Sequence, residues 1–220
     1  MMKIILPLLL LTLPCSASAD VETLDTQEQR VLYTLGVVLM KDLAVFRLNE
    51  RDLAILQQGM RDALVGELLV NPNDFEPQIQ ELAQARLNAT KKSQAGEAAA
   101  FLATAVKKTG AKKGKAGLII RTLRAGNGPS PTAESTVKVH YEGRLVNGTI
   151  FDASINRGEP LTMPLTRAIK CWFWGLQLMK VGEKAELICP PEIAYGDTGA
   201  PPAIPPGATL VFDIELLEIK

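Results

Sequence analysis

The spacing of apolar residues changes part-way along this chain, and that change limits the folds open to it. Upstream of the lysine-rich segment "KKTGAKKGK" (Lys107 to Lys115) apolar residues recur every three or four positions, and downstream they alternate or form short runs. The first spacing lines one face of a helix and the second lines one face of a strand. A helical half followed by a sheet half is therefore expected, an α+β organisation with the two kinds of element segregated.

In the helical half, "QRVLYTLGVVLMKDLAVF" places Leu32, Leu35, Leu39, Leu43 and Phe46 on one stripe, widened by Val31, Val38 and Val45. A second helix is expected after Asn49, a suitable N-cap with Asp52 three residues on, and carries Leu53, Leu56, Met60 and Leu64 before Gly66. Helices this short are marginal alone and cannot cover so much apolar surface between themselves. They are read as dimerising with a second copy; folding back on the C-terminal half is the alternative. A third helix is expected from near Asp74, with Glu76 and Pro77 in its first turn, to Lys107-Lys108-Thr109-Gly110. Its middle, "NATKKSQAGEAAA", is polar and alanine-rich, which reads as a solvent-exposed spacer on the order of 50 Å long, with Gly96 as a point of bending.

In the sheet half, "GLIIRTLRAG", "STVKVHYEGRL", "KAELICP" and "ATLVFDIELLEI" read as strands, separated by "GNGPSP", "NG", "NRGEP" and "GDTGAPPAIPPG". One short helix is expected between them, Arg167 to Met179. Within this half Tyr141, Phe151 and Asp152 flank a tight Asn147-Gly148 turn. His140 alternates with Tyr141 on its strand and so faces the other way.

The first nineteen residues, "MMKIILPLLLLTLPCSASA", carry Lys3, an apolar run from Ile4 to Leu13, and Ala17-Ser18-Ala19. That order is a secretory signal peptide, with cleavage expected after Ala19. The run is too short for a usual membrane span. Export is the reading, with the periplasm first and secretion or surface association as alternatives. Cleavage removes Cys15 and leaves Cys171 and Cys189, which either pair in an oxidising compartment or stand as two buried thiols.

Lys+Arg and Asp+Glu are 24 each, so no net charge argues for nucleic acid or an anionic membrane surface. The basic segment itself reads as a solvated linker. One histidine and two mature cysteines fall short of the roughly four ligands of a zinc site, and no cofactor is expected.

Taken together in order, "VKVHYEGRL", "NGTIFDAS", "GLQLMKVGEKAEL" and "IAYGDTGAPPAIPPGATLVFDIELLEI" resemble the FKBP-type peptidyl-prolyl cis-trans isomerases over about residues 115–220. With the helical N-terminal half, the chain is similar to the two-domain bacterial branch, macrophage infectivity potentiator-like, whose members are homodimers. The resemblance implies residues 1–19 as signal peptide, 20–72 as a helical dimerisation domain, 73–114 as a long connecting helix and basic linker, and 115–220 as an isomerase domain: an antiparallel sheet wrapped on one short helix.

It also implies a proline pocket. Trp172 is its floor; Phe151, Tyr141 and Phe212 are walls; Tyr195 and the Ile169 backbone N–H face the substrate's carbonyls; Asp152 lies at the rim. Leu161, Ala168 and Ile204 complete it. Leu161 stands where an aromatic is common and Ala168 where valine is common, and Lys170 and Phe173-Trp174 replace the more usual proline and polar residues. The implied ligands are unfolded or proline-containing polypeptides, with macrolides as inhibitors. The implied activity is acceleration of X-Pro isomerisation in the folding of exported proteins. A periplasmic holdase-type chaperone with weakened isomerase activity is the alternative.

Overall fold

A computed structural model describes residues 23–220. The expected signal peptide and Cys15 lie outside the described residues. The chain divides into two compact units, one ending at Leu39 and the other running from Met40 to Lys220.

Helix α1 spans Gln27–Asp42, and none of its residues is buried. Val31, Leu32 and Tyr33 are about 60% exposed, so the apolar stripe is bare. The stripe does not continue to Phe46 as one helix. Leu43–Phe46 form a 3-10 turn that ends at Arg47 in the left-handed region, and this half-buried turn lies against helix α3. Leu43 and Phe46 are thus half-buried in that turn.

Helix α2 spans Glu50–Val65. Asn49 accepts from the Asp52 N–H at 2.9 Å while Asp52 reaches back to the Asn49 N–H, a reciprocal capping box, and Gly66 closes the helix at φ +77°. Helix α3, Glu76–Ala105, runs 30 residues, about 45 Å, through Gly96 without interruption.

Two expectations for this region are corrected. Helix α3 is not exposed throughout: Thr90, Gln94, Ala98 and Ala105 are buried. These residues are small or polar, so the face they make leaves no apolar stripe to read. The basic segment is not all linker either. Ala111–Lys113 form strand β1, an edge strand paired with β2, so the sheet begins ahead of the expected boundary at 115. Lysines suit an edge that must not recruit another strand.

The sheet is antiparallel, in the order β1-β2-β6-β7-β3-β4, with β5 also on β3. The remaining strands are β2 (Ile119–Arg124), β3 (Thr136–Leu145), β4 (Ile150–Ala153), β5 (Leu161–Pro164), β6 (Lys184–Cys189) and β7 (Leu210–Ile219). Burial alternates strictly along β3, so Val137, Val139, Tyr141 and Leu145 face the core. Strand β6 is buried at nearly every position because both its faces are covered. Leu187 joins the main core, while Ile188 and Val211 pack with Ala105, Phe101 and Leu102 of α3. Helix α4 is shorter than expected, Lys170–Leu176, preceded by a 3-10 turn at Leu165–Arg167. Cys171 on α4 and Cys189 on β6 form a disulfide with Cα atoms 5.6 Å apart.

Candidate functional site

Residues of the sheet and of helix α4 line a cavity of about 210 Å³. Strand alternation brings Tyr141 to it, β4 brings Phe151 and Asp152, and β7 brings Phe212. Helix α4 contributes Trp172, which is 5% exposed. Three edge-to-face contacts join four rings. Tyr141 and Trp172 centroids are 5.0 Å apart, Trp172 and Phe212 5.3 Å, and Phe151 and Phe212 5.6 Å. Such contacts add to area burial and hold each ring at a fixed tilt.

The walls meet across Gly143. A Cβ there would lie 2.7 Å from the Phe151 ring and 2.8 Å from that of Phe212. The glycine inside an otherwise regular strand is a sequence signal of such close approach.

At the rim the Tyr141 hydroxyl donates to Asp152 Oδ2, and Arg157 Nη1 lies 2.5 Å from Asp152 Oδ1. Arg157 Nη2 also donates to the Tyr141 oxygen at 2.8 Å, with its guanidinium 5.4 Å from the ring centroid. Burial, and then the neighbouring Asp152 carboxylate, push the Tyr141 phenol above its usual range, so it remains a donor. Tyr195 is raised as well, first by burial and then by the charge of the Asp152 carboxylate. Behind Tyr141, the fully buried Ser154 accepts from the Tyr141 N–H at 2.8 Å and lies 3.0 Å from His140 Nδ1. His140 thus supports the strand from the far side, as its alternation with Tyr141 implies.

Leu161, Ala168, Ile169 and Tyr195 line the cavity with these rings. Ile204 does not. It is 4% exposed in the main core, and its backbone pairs with that of Ala200. Phe173 and Trp174 are half-buried against the core and do not form an open patch. Three residues were missed from the sequence: Met163, Arg167 and Arg157. Met163 follows from the period of two along β5, since Leu161 lines the cavity. No local pattern singles out the two arginines. Among the described residues no group of three or more potential metal ligands occurs. The arrangement is an apolar, aromatic-walled recess with a hydrogen-bonded rim, suited to a compact apolar ring flanked by polar peptide groups.

Comparison with known proteins agrees with this geometry. The family profile described as FKBP-type peptidyl-prolyl cis-trans isomerase matches residues 128–217, and that of the domain amino terminal to such isomerases matches 28–121. The chain is 38% identical over 201 residues to the FKBP-type 22 kDa peptidyl-prolyl cis-trans isomerase of Escherichia coli, covering 90% of this chain and 98% of that protein. It is 36% identical to the peptidyl-prolyl cis-trans isomerase Mip of Coxiella burnetii, covering 100% of this chain and 99% of the other. Its structure is similar to the crystal structure of FkpA from Escherichia coli, with a TM-score of 0.66 and 31% identity, over 90% of this chain and 99% of that one.

Proposed function

The chain belongs to the FKBP-type peptidyl-prolyl cis-trans isomerases, and from that premise we propose that its isomerase activity resides in the aromatic cavity and serves the folding of exported polypeptides. The observation that carries this reading is the four-ring recess, Tyr141, Phe151, Trp172 and Phe212, with Asp152 tied at its rim.

Rotation about an X-Pro bond crosses a barrier of roughly 18–20 kcal/mol and takes tens to hundreds of seconds uncatalysed. The twisted amide has lost resonance and is less charge-separated than the planar form. A water-poor cavity therefore favours the twisted state over the ground state. Each 1.36 kcal/mol of that difference gives about a factor of ten. In this reading Trp172 is the floor under the pyrrolidine ring, and Phe151, Tyr141 and Phe212 are its walls. The Ile169 N–H and the Tyr195 hydroxyl donate to the flanking carbonyls. Leu161 and Ala168 widen the recess.

The bare apolar faces of α1 and α2 support assembly with a second copy, with Leu32, Leu35 and Leu39 at the contact. The Cys171–Cys189 disulfide supports an oxidising compartment and hence export. No described helix is long and apolar enough to cross a membrane.

The test is isomerisation of an X-Pro tetrapeptide without a coupling protease. Phe151→Ala and Asp152→Ala are each expected to lower kcat/KM by about tenfold or more. Unchanged rates in both folded variants would move the chemistry out of this cavity.

A further inference from the structure

Two charged residues line the cavity, Asp152 and Arg167. They are not in the same state. Asp152 is engaged at both oxygens, Oδ2 by the Tyr141 hydroxyl and Oδ1 by Arg157. Its charge is largely answered before any guest arrives.

Arg167 is exposed and enters none of the ion pairs among the described residues. It ends the 3-10 turn that leads through Ala168 and Ile169 into α4. Arg167 thus lines the cavity from the segment that also supplies Ala168 and Ile169 to it. Lys170, also exposed, adds a second positive charge in the next turn. Arg167 is thus the one cavity-lining charge, among the described residues, that no ion pair answers.

We propose that Arg167 is a specificity-determining residue that favours substrates with a carboxylate side chain, Asp or Glu, next to the isomerised proline. This deepens, and rests on, the assignment of the isomerase activity to this cavity. The chemistry is direct: a guanidinium offers a planar fork of donors matched to a carboxylate, and it keeps its charge at any working pH. Because the Arg167 side chain is itself exposed, the attraction is modest and screened by salt. It biases the choice among peptides without replacing the apolar contacts that hold the proline. A cationic neighbour of the proline meets the same charge as repulsion, so the discrimination between acidic and basic peptides exceeds either effect alone.

The experiment measures kcat/KM by the full protein for matched tetrapeptides carrying Glu, Leu or Lys before proline, and for a second set with Glu, Leu or Lys after it. In one of the two sets the Glu-to-Lys ratio is expected at about threefold to tenfold at low salt, falling towards one at about 1 M salt. Arg167→Ala is expected to bring the ratio near one, and Arg167→Glu to invert it. The ratio is internal to each variant, so a general loss of activity does not mimic the effect. A ratio near one in both sets, with brisk turnover of the Leu peptides, overturns the role of Arg167 and leaves the cavity assignment standing. A ratio that survives in Arg167→Glu also overturns it. No acceleration of any peptide overturns the cavity assignment and this inference together.

Discussion

Asp152 accepts a hydrogen bond from the Tyr141 hydroxyl, so the rim carboxylate and the wall ring on the neighbouring strand act as one unit. Arg157 closes that unit by reaching both groups. Removing the hydroxyl in Tyr141→Phe leaves Asp152 with Arg157 alone, and a loss of about threefold to tenfold in kcat/KM is expected.

The same unit predicts a pH dependence. Burial and the Asp152 carboxylate raise the Tyr141 phenol above its usual value near 10. A group raised in the folded state contributes stability that is fully present below its unfolded value and is lost as pH climbs through the folded one. Peptide isomerisation is therefore expected to be unaffected by this phenol between about pH 6 and about pH 9. Thermal melts should weaken above about pH 10, and part of that alkaline loss should disappear in Tyr141→Phe.

Gly143 leaves no room for a side chain between Phe151 and Phe212. Gly143→Ala must push one of the two rings off its rotamer, at a cost of about 1–3 kcal/mol. Denaturant titration should register that cost. Because the displaced rings are the cavity walls, kcat/KM should fall by about tenfold or more even where the variant is fully folded.

Arg86 on α3 lies 2.8 Å from Asp52 on α2 and also donates to the Phe46 carbonyl. The hydrogen bond from Arg86 to Asp52 holds the Asp52 carboxyl below the usual carboxylate range. A depressed acid contributes stability present above its unfolded value, near 3.9, and lost as pH falls through the folded one. Circular dichroism of the helices should show acid loosening below about pH 4 that is reduced in Asp52→Asn.

If the bare stripe of α1 meets a second copy, charge placed on it should separate the pair. Light scattering of Leu35→Asp/Leu39→Asp is expected to give a monomer, with peptide isomerisation retained because neither residue lies at the cavity. A dimer of unchanged mass would place the contact elsewhere.

Much of this was legible in the order of residues, for specific reasons. The alternation "VKVHYEGRL" fixes which side chains of β3 face inward, and with it the placing of Tyr141 opposite His140. Asn49 and Asp52 announced their cap three residues apart. What stayed hidden depends on tertiary approach. The buried face of α3 is made of alanine, threonine and glutamine, which carry no apolar signal. Strand β1 is mostly lysine and becomes a strand because β2 offers it an open edge. Ile204 reads as a cavity residue and lies in the main core, its backbone paired with that of Ala200. Arg157 and Arg167 have no local pattern; where the chain carries their long side chains decides what they meet.

The Cys171–Cys189 bond ties the residue next to Trp172 to the strand whose Leu187 pairs with Phe212. Made where glutathione keeps thiols reduced, the same polypeptide would carry two buried sulfhydryls under the recess and no tie. The two forms differ only by the hydrogens of those thiols, and a sizing column or a gel run with reductant would not tell them apart. A specific activity measured on cytoplasmically expressed material therefore belongs to a stated form only once a thiol titration or intact mass has shown which one is in the tube.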